Sequence, residues 1–417
     1  MGDAQRYRGR VAVVGAGPGG MAAALALHRV GFEVALYERY NQIKAAGNIL
    51  NLWPPPQKVL RLIGVDTRDL GAPCHVQFQR NDGKLRADVR LSPEVEREYG
   101  GGFIGLLRWG LYKRMLDALP PGMLRLGHAV KTFKETPGRV SVEFENGAST
   151  DVDVVVGADG INSTVRALLW GPEPIRHQKL HLIGGYLFID GANPTEGVVA
   201  HNRTVQGSYT PIRHEGRNGY EWWVLEACDP TVPFTADLLE YAKKRAVGFS
   251  PKLRELIDLT PAEHLQRWEI RDRPPRRQWS KGRVTLVGDA AHPTSPYAAY
   301  GAGMSIEDGY FLARELQACN VRDDTSVSKA LQAYEDRRKP HTARVSQQAY
   351  FTGKIFHHTP RFLQPLRDLV YDHTPFLQKL IGDATPGHIL KQLDEIEEPD
   401  PAEEARLKRQ YSRAEAR

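Results

Sequence analysis

The sequence predicts an α/β fold in which a largely parallel sheet, covered on both faces, is interrupted by an antiparallel-sheet lobe and followed by C-terminal helices. Three observations predict it. A glycine turn lies between two β-branched runs at the amino end. Strand-like segments in the middle are joined by turns rather than helices. Helical patterns dominate from Ser305 onward. The 417 residues suffice for one large domain or two interleaved ones.

Composition narrows the class. Hydrophobic residues are 41% and charged residues 25%, an ordinary globular balance. The longest apolar stretch, Met21 to Leu27, is far shorter than the roughly 18 residues of a membrane span, and Met1 to Arg10 has no signal-peptide core. This argues for a cytoplasmic chain without stable membrane insertion. Cys74, Cys228 and Cys319 are dispersed and odd in number, which argues against a disulfide framework or a metal centre. The net charge of +6 is spread out; Arg273, Arg276 and Arg277 form one cluster and Lys243, Lys244 and Arg245 another. Neither makes the basic stripe with interleaved aromatics that nucleic acid requires.

The elements follow in order. Val11 to Val14 reads as a strand, Met21 to Val30 as a helix and Phe32 to Tyr37 as a second strand, a β-α-β unit. Val140 to Phe144 and Val152 to Val156 read as strands about the turn Glu145-Asn146-Gly147. Leu182 to Ile189, Ser208 to Ile212 and Glu221 to Glu226 read as an antiparallel second lobe, and Val284 to Val287 as a buried strand. Ser305 to Gln317 is helical. Ala330 to Phe356 is a long helix with a candidate break at Pro340. Leu363 to Ile396 carries further helices, and the tail from Glu397 is charged.

Gly15-Ala16-Gly17-Pro18-Gly19-Gly20 joins the first strand to the first helix. Gly15 permits the tight turn, Gly17 lets backbone approach a pyrophosphate, and Gly20 lets helix pack on strand. The helix start offers free N–H groups to phosphate. Glu38, at the end of the second strand, is placed to accept from ribose hydroxyls. This is a Rossmann-like fingerprint suited to FAD or NAD. A second motif, Gly288-Asp289-Ala290-Ala291-His292-Pro293, continues through Pro296 to Gly301, Ala302 and Gly303; its carboxylate and the following helix start suit a sugar hydroxyl and an electron-rich ring. A third runs from Asp153 through Asp159-Gly160 to Ser163 and Arg166, which by itself is equally a capped helix.

Together, in this order, these motifs resemble the single-component FAD-dependent aromatic hydroxylases, the salicylate hydroxylase-like branch in particular. Gly47 to Pro54, Arg108-Trp109-Gly110-Leu111-Tyr112 and Pro296 to Gly303 are similar to further segments of that family. The resemblance implies an FAD-binding domain of the glutathione-reductase type with an interleaved substrate lobe. FAD-binding stretches fall at 1–75, 106–175 and 276–345, substrate-lobe stretches at 76–105 and 176–275, and helices with a charged tail at 346–417. It implies FAD contacts from Gly15, Gly17, Gly20, Glu38, Arg39, Asn51, Arg108, Asp159, Asp289, Pro296, Gly301, Ala302 and Gly303. The implied reaction takes hydride from NADPH or NADH, bound transiently, and passes one oxygen atom of O2 to an aromatic substrate by way of a flavin C4a-hydroperoxide. The sequence departs from the family at Tyr300, Gly303 and Ser305, where many members have Gln, Asn and Ala.

Substrate candidates come from the second lobe: Tyr186, Phe188, Arg213, Trp222 and Trp223, with His201 and Tyr209 as candidate bases. Trp222 and Trp223 must face opposite ways on one strand, so at most one lines a pocket. The expected assembly is a monomer or homodimer. Other readings are a reductase, oxidase or halogenase on the same scaffold, the last disfavoured by the lack of a Gly-Trp-x-Trp-x-Ile-Pro segment, and a non-catalytic FAD-binding protein.

Overall fold

A computed structural model describes residues 8–43 and 49–397. Gly47, Asn48 and the tail beyond Glu397 lie outside the described residues.

The fold is organised around Arg10–Val14, a strand buried along most of its length. It pairs in parallel with Glu33–Tyr37 on one side and Val154–Gly157 on the other. Val284–Leu286 and Leu124–Arg125 extend this five-stranded parallel sheet at its two edges. The crossover helix Pro18–Arg29 is rich in alanine and buried from Gly19 to Leu27. Its small side chains let the helix Gly301–Gln317 lie close: a Cβ on Gly309 would meet the Ala23 backbone nitrogen at 2.5 Å, and one on Gly19 would meet the Ser305 Cβ at 3.1 Å.

Val152 to Val156 is not one strand, as its composition suggested. Ser149–Val152 belongs to a three-stranded antiparallel sheet with Arg139–Phe144 and Val130–Thr136, and Val154–Gly157 to the parallel sheet. Asp153 divides them, because its carboxylate accepts from the Arg10 amide at 2.7 Å and its carbonyl from the Arg283 guanidinium at 3.0 Å.

The second lobe is a nine-stranded sheet. Arg176–Phe188, Arg217–Ala227 and Val205–His214 form its antiparallel centre. Glu196–His201 pairs antiparallel with Val205–His214 but parallel with Ala72–Arg80, so the lobe is mixed rather than purely antiparallel. Ile49–Leu52 and Phe103–Leu107 complete the near edge, and Gln266–Asp272 the far one. Gly105 is required there, since a Cβ would lie 1.9 Å from the Pro211 carbonyl oxygen.

The two faces of this sheet differ. Ile183, Leu187, Trp222 and Val224 pack under the helices Leu238–Ala246 and Pro251–Asp258. The opposite face contributes Cys74, Phe103, Val199 and Trp223 to a cluster with Trp53 and with Tyr300 and Met304 at the start of the helix Gly301–Gln317. The long helix Asp324–His358 passes through Pro340 without a break. Pro340 is exposed, so water can satisfy the carbonyl its missing N–H leaves free, and buried Tyr334, Arg338 and Thr342 fix the helix on either side of it. Pro365 sits in the first turn of Gln364–His373, where proline is tolerated. Among the described residues no helix is long and apolar enough to cross a membrane.

Candidate functional site

The glycine turn is shaped by three different constraints. Gly15 has φ +104°, and a Cβ there would meet the Ala158 carbonyl oxygen at 2.5 Å. A Cβ on Gly20 would lie 1.8 Å from the Gly15 carbonyl oxygen. Gly17 differs: the nearest atom to an added Cβ is the Tyr112 hydroxyl at 3.9 Å, so its outer side is open. The helix it precedes has no side-chain cap and no acidic residue in its first turn, which leaves its amides for an anion. Glu38 faces this opening, accepting from the Ala16 amide at 3.0 Å and the Tyr40 amide at 3.1 Å, with lone pairs left for hydroxyl donors. Arg39 is exposed, its guanidinium 4.7 Å from the Tyr40 ring centroid.

Asp289 is exposed to solvent, yet the protein around it raises its carboxyl pKa by burial, opposed by His292 and Arg108. The charges of Arg108, Asp289 and Glu38 all act on buried Tyr112, so these groups surround it. Arg108 is half-buried, its Nε donating to the Ile49 carbonyl at 3.1 Å. Pro296 is exposed and Gly301 and Ala302 partly so, at the start of a second helix without a side-chain cap. An open glycine, two bare helix starts, a carboxylate with lone pairs left for hydroxyls and an exposed aspartate beside Arg108 fit the phosphates, sugars and ring of FAD.

Asp159 has a different task from direct contact. Its carboxylate accepts from the Ser163 hydroxyl at 2.5 Å and from the amides of Thr164 and Val165 at 2.7 and 3.1 Å, so it is spent on capping the helix Thr164–Trp170. The cap holds Ala158 against Gly15. Arg166 then reaches the carbonyls of Ala290 and Ala291 at 3.1 and 3.3 Å, tying this segment to the Asp289 turn.

Sequence reasoning did not single out Arg338, which anchors both cofactor-side turns. Its Nε donates to Asp308 at 2.7 Å, and one terminal nitrogen donates to Glu307 at 2.9 Å and to the Met304 carbonyl at 3.2 Å. The other terminal nitrogen reaches Gln392 at 3.1 Å. Asp308 in turn accepts from the Gly288 amide at 2.9 Å and lies 2.5 Å from His292, while Glu307 accepts from the Tyr300 hydroxyl at 2.5 Å. Burial opposes the Asp308 charge, but His292 and Arg338 hold it below the ordinary carboxylate range. The family departures explain one another: the Tyr300 ring occupies the place where a Cβ on residue 303 would lie, 2.7 Å away, so Gly303 accompanies Tyr300.

The cofactor-facing side of the large sheet follows from register. Thr210 pairs with Glu221 and Ser208 with Trp223, so these four share a face. Glu221 is buried, accepts from the Thr210 hydroxyl and has the Asn51 amide beside it; burial pushes its pKa up to about 8. Glu221 and Ser208 were missed as site candidates, and of the two candidate tryptophans it is Trp223 that lies on this face. Trp222 must be corrected: it is fully buried on the other face, its indole N–H donating to the Thr260 hydroxyl at 2.7 Å. Tyr209 pairs with Trp222 and packs against the same helices, so it too faces away. Arg213 is committed to Asn218 at 2.7 Å and Asp69 at 2.6 Å. Tyr186 stacks on His264 with 4.1 Å between ring centroids, and Phe188 lies under the Arg217 guanidinium at 4.7 Å. His201 is buried against the Phe356 ring at 3.8 Å, and burial holds it well below its ordinary pKa, so it is a neutral packed ring rather than a free base.

The sequence matches the FAD binding domain family over residues 8–349. It is 30% identical over 355 residues to the 6-hydroxynicotinate 3-monooxygenase of Pseudomonas fluorescens, covering 81% of this chain and 90% of that one. It is also 30% identical over 389 residues to the 3-amino-4-hydroxybenzoate 2-monooxygenase PtnB3 of Streptomyces platensis, covering 87% and 92%. Its fold is similar to that of Klebsiella pneumoniae HpxO complexed with FAD and uric acid, with a TM-score of 0.80 at 24% identity over 93% of this chain and 99% of that one. A salicylate hydroxylase substrate complex gives 0.68 at 20% identity, covering 91% and 97%.

Proposed function

Since the chain belongs to the family of FAD-binding aromatic monooxygenases, we propose that it inserts one oxygen atom of O2 into a small, electron-rich aromatic compound, taking the reducing electrons from NADH or NADPH. The chain is a FAD-dependent oxidoreductase of that family. The observation that carries the residue-level reading is the gathering of Glu38, Arg108 and Asp289 about Tyr112, next to the Gly288 turn that Asp308 and Arg338 hold.

In this reading Gly17 and the Pro18–Arg29 helix start receive the pyrophosphate, Glu38 the adenosine ribose, and Asp289 and Arg108 the ribityl side. The uncapped start of the Gly301–Gln317 helix and the 296–303 turn would hold the flavin ring, and their free amides would favour negative charge on it. When bound, FAD supplies hydride acceptance and oxygen activation. The protein supplies position and dryness: Trp223 and Tyr297 each pack against the cluster of Leu180, Leu225 and Ile270, where they would serve as apolar walls for a flat substrate. The proposed FAD-binding stretches are 1–75, 106–175 and 276–345, from which Ile49–Leu52 and the start of Ala72–Arg80 lend strands to the substrate-lobe sheet. The enzyme is proposed to act in the cytoplasm, where NAD(P)H is supplied, as a monomer or homodimer.

The test is direct. The purified protein is yellow, is bleached by NADH or NADPH under nitrogen, and in air converts an aromatic from a screened panel to a product heavier by one oxygen. Flavin that reduces and reoxidises with every panel member, yielding peroxide alone, identifies an oxidase or reductase instead. Flavin that no reductant bleaches points to a non-catalytic binder.

A further inference from the structure

We propose that the outward face of the helix Gln364–His373, with the turn before it, docks the enzyme on an anionic lipid surface without inserting a span. The docking is independent of the oxygenase reading.

This helix is built inside out. Its buried residues are Gln364, Arg367 and Tyr371, and its exposed ones include Leu366 and Leu369. A surface helix ordinarily turns its apolar stripe to the core. Here polar side chains seat it instead. Arg367 donates to the Phe356 carbonyl at 2.7 Å and the Arg203 carbonyl at 3.0 Å, and Gln364 donates to the Thr359 carbonyl at 3.2 Å. Leu366, Leu369 and His373 follow one another at helical spacing along the side facing water. Phe362, 80% exposed, and Leu363 lie in the turn just before them. Of the 14 large hydrophobic residues exposed among the described residues, six fall between Phe351 and Phe376, and the other eight are scattered from Tyr40 to Leu259. Scattered ones are ordinary surface, whereas a concentration of them marks a contact face.

Charge selects the occupant. The acids of the helix are already engaged: Asp368 by Arg367 at 2.6 Å, and Asp372 by Arg86 at 2.8 Å and Arg80 at 3.1 Å. Exposed Lys354, Arg361 and Lys379 have no carboxylate partner among the described residues. Lys354 follows Phe351 by one helical turn, Arg361 adjoins Phe362, and Lys379 comes three residues after Phe376. The exposed apolar side chains are thus accompanied by unpaired cations, the pattern of a helix lying in the headgroup layer of an anionic membrane. A second copy of the chain fits worse, because a two-fold contact would set these cations against their own images while the nearby acids are taken.

The FAD-loaded full chain is sedimented with vesicles of phosphatidylcholine alone and of phosphatidylcholine with an equal share of phosphatidylglycerol, and its mass in solution is measured by light scattering. The anionic vesicles are expected to bind it at least about tenfold more tightly than the neutral ones. Binding should fall severalfold in about 1 M salt, where charges are screened within about 3 Å. Leu366→Asn combined with Leu369→Asn should lower the affinity about tenfold while FAD absorbance and melting temperature stay as in the wild type, since both positions face water. Arg361→Gln combined with Lys379→Gln should remove most of the preference for anionic lipid and leaves the apolar face untouched. No binding to the anionic vesicles, or equal binding to both kinds, overturns the proposal. So does a wild-type dimer that the double leucine variant converts to monomer, which would make the face a contact between copies of the chain.

Discussion

Replacing Arg338 with methionine removes one guanidinium while keeping most of its volume, so the effect is electrostatic rather than a cavity. Arg338 is 1% exposed and its partners Glu307 and Asp308 are fully buried. The variant strands two carboxylates, one left with His292 and the Gly288 amide and the other with the Tyr300 hydroxyl. Breaking a buried pair in this way costs about 3–5 kcal/mol, because the charges left behind have lost their compensation. The Gly288–Asp289 turn and the Tyr300–Gly303 turn lose their common anchor at the same time, so FAD affinity falls with stability. Urea unfolding followed by circular dichroism at a fixed excess of FAD measures the first effect, and recovery of flavin fluorescence on dilution measures the second. A stability loss below about 1 kcal/mol, the range of an exposed pair, together with unchanged FAD affinity, would refute the anchor.

Three further predictions separate scaffold from site. Gly17→Ala should leave the apoprotein within about 1 kcal/mol of wild type and weaken FAD by tenfold or more, whereas Gly20→Ala, with its Cβ 1.8 Å from the Gly15 oxygen, should prevent stable folding; thermal melts and FAD titration distinguish them. Trp222→Ala should cost about 3–5 kcal/mol of stability with little change in KM, and Trp223→Ala should raise KM with a smaller loss of stability, read by denaturation and steady-state kinetics. Burial raises the folded pKa of Glu221 to about 8, so the folded state holds a proton that the unfolded chain releases near its ordinary value of about 4.3. Its contribution is full below that value, declines by up to about 1.4 kcal/mol per pH unit across the window and is gone above about 8. Glu221→Gln should therefore gain stability relative to wild type as pH rises through the window, and a pH-independent difference between the two would contradict the assignment.

The features legible in the sequence were those whose partners are close along the chain. The glycine turn, the first β-α-β unit and the Gly288-Asp289 turn each depend on geometry within a few residues. Asp159 was ambiguous for the same reason: a carboxylate before a helix serves as cap or as ligand, and only the three bonds it makes decide. Alternation established that Trp222 and Trp223 face apart, but which side holds the reaction depends on the helices Leu238–Ala246 and Pro251–Asp258, which cover one face from beyond the strand. That long-range fact misplaced Tyr209 as well. Ala72–Arg80 shows a clean alternation in Ala, Cys, Val and Phe that identifies a strand, obscured by the polar residues between them. Glu221 was passed over because a glutamate in a strand ordinarily faces water; its pairing with Thr210 and the close approach allowed by Gly105 are contacts between distant segments. Pro340 signalled a break that the buried side chains on either side of it prevent.

The strand Arg217–Ala227 sends odd-numbered side chains such as Glu221 and Trp223 to one compartment and even-numbered ones such as Trp222 and Val224 to another. On the proposed function, choice of substrate and structural integrity are thus written in alternate letters of one word. Selection can rewrite the odd letters to suit a new aromatic without disturbing the even ones. A single-residue insertion in the hairpin before the strand would exchange the two sets, pushing a carboxyl into the oily layer and an indole toward the cofactor. Diversification of such enzymes along this strand should therefore proceed by substitution and almost never by change of length.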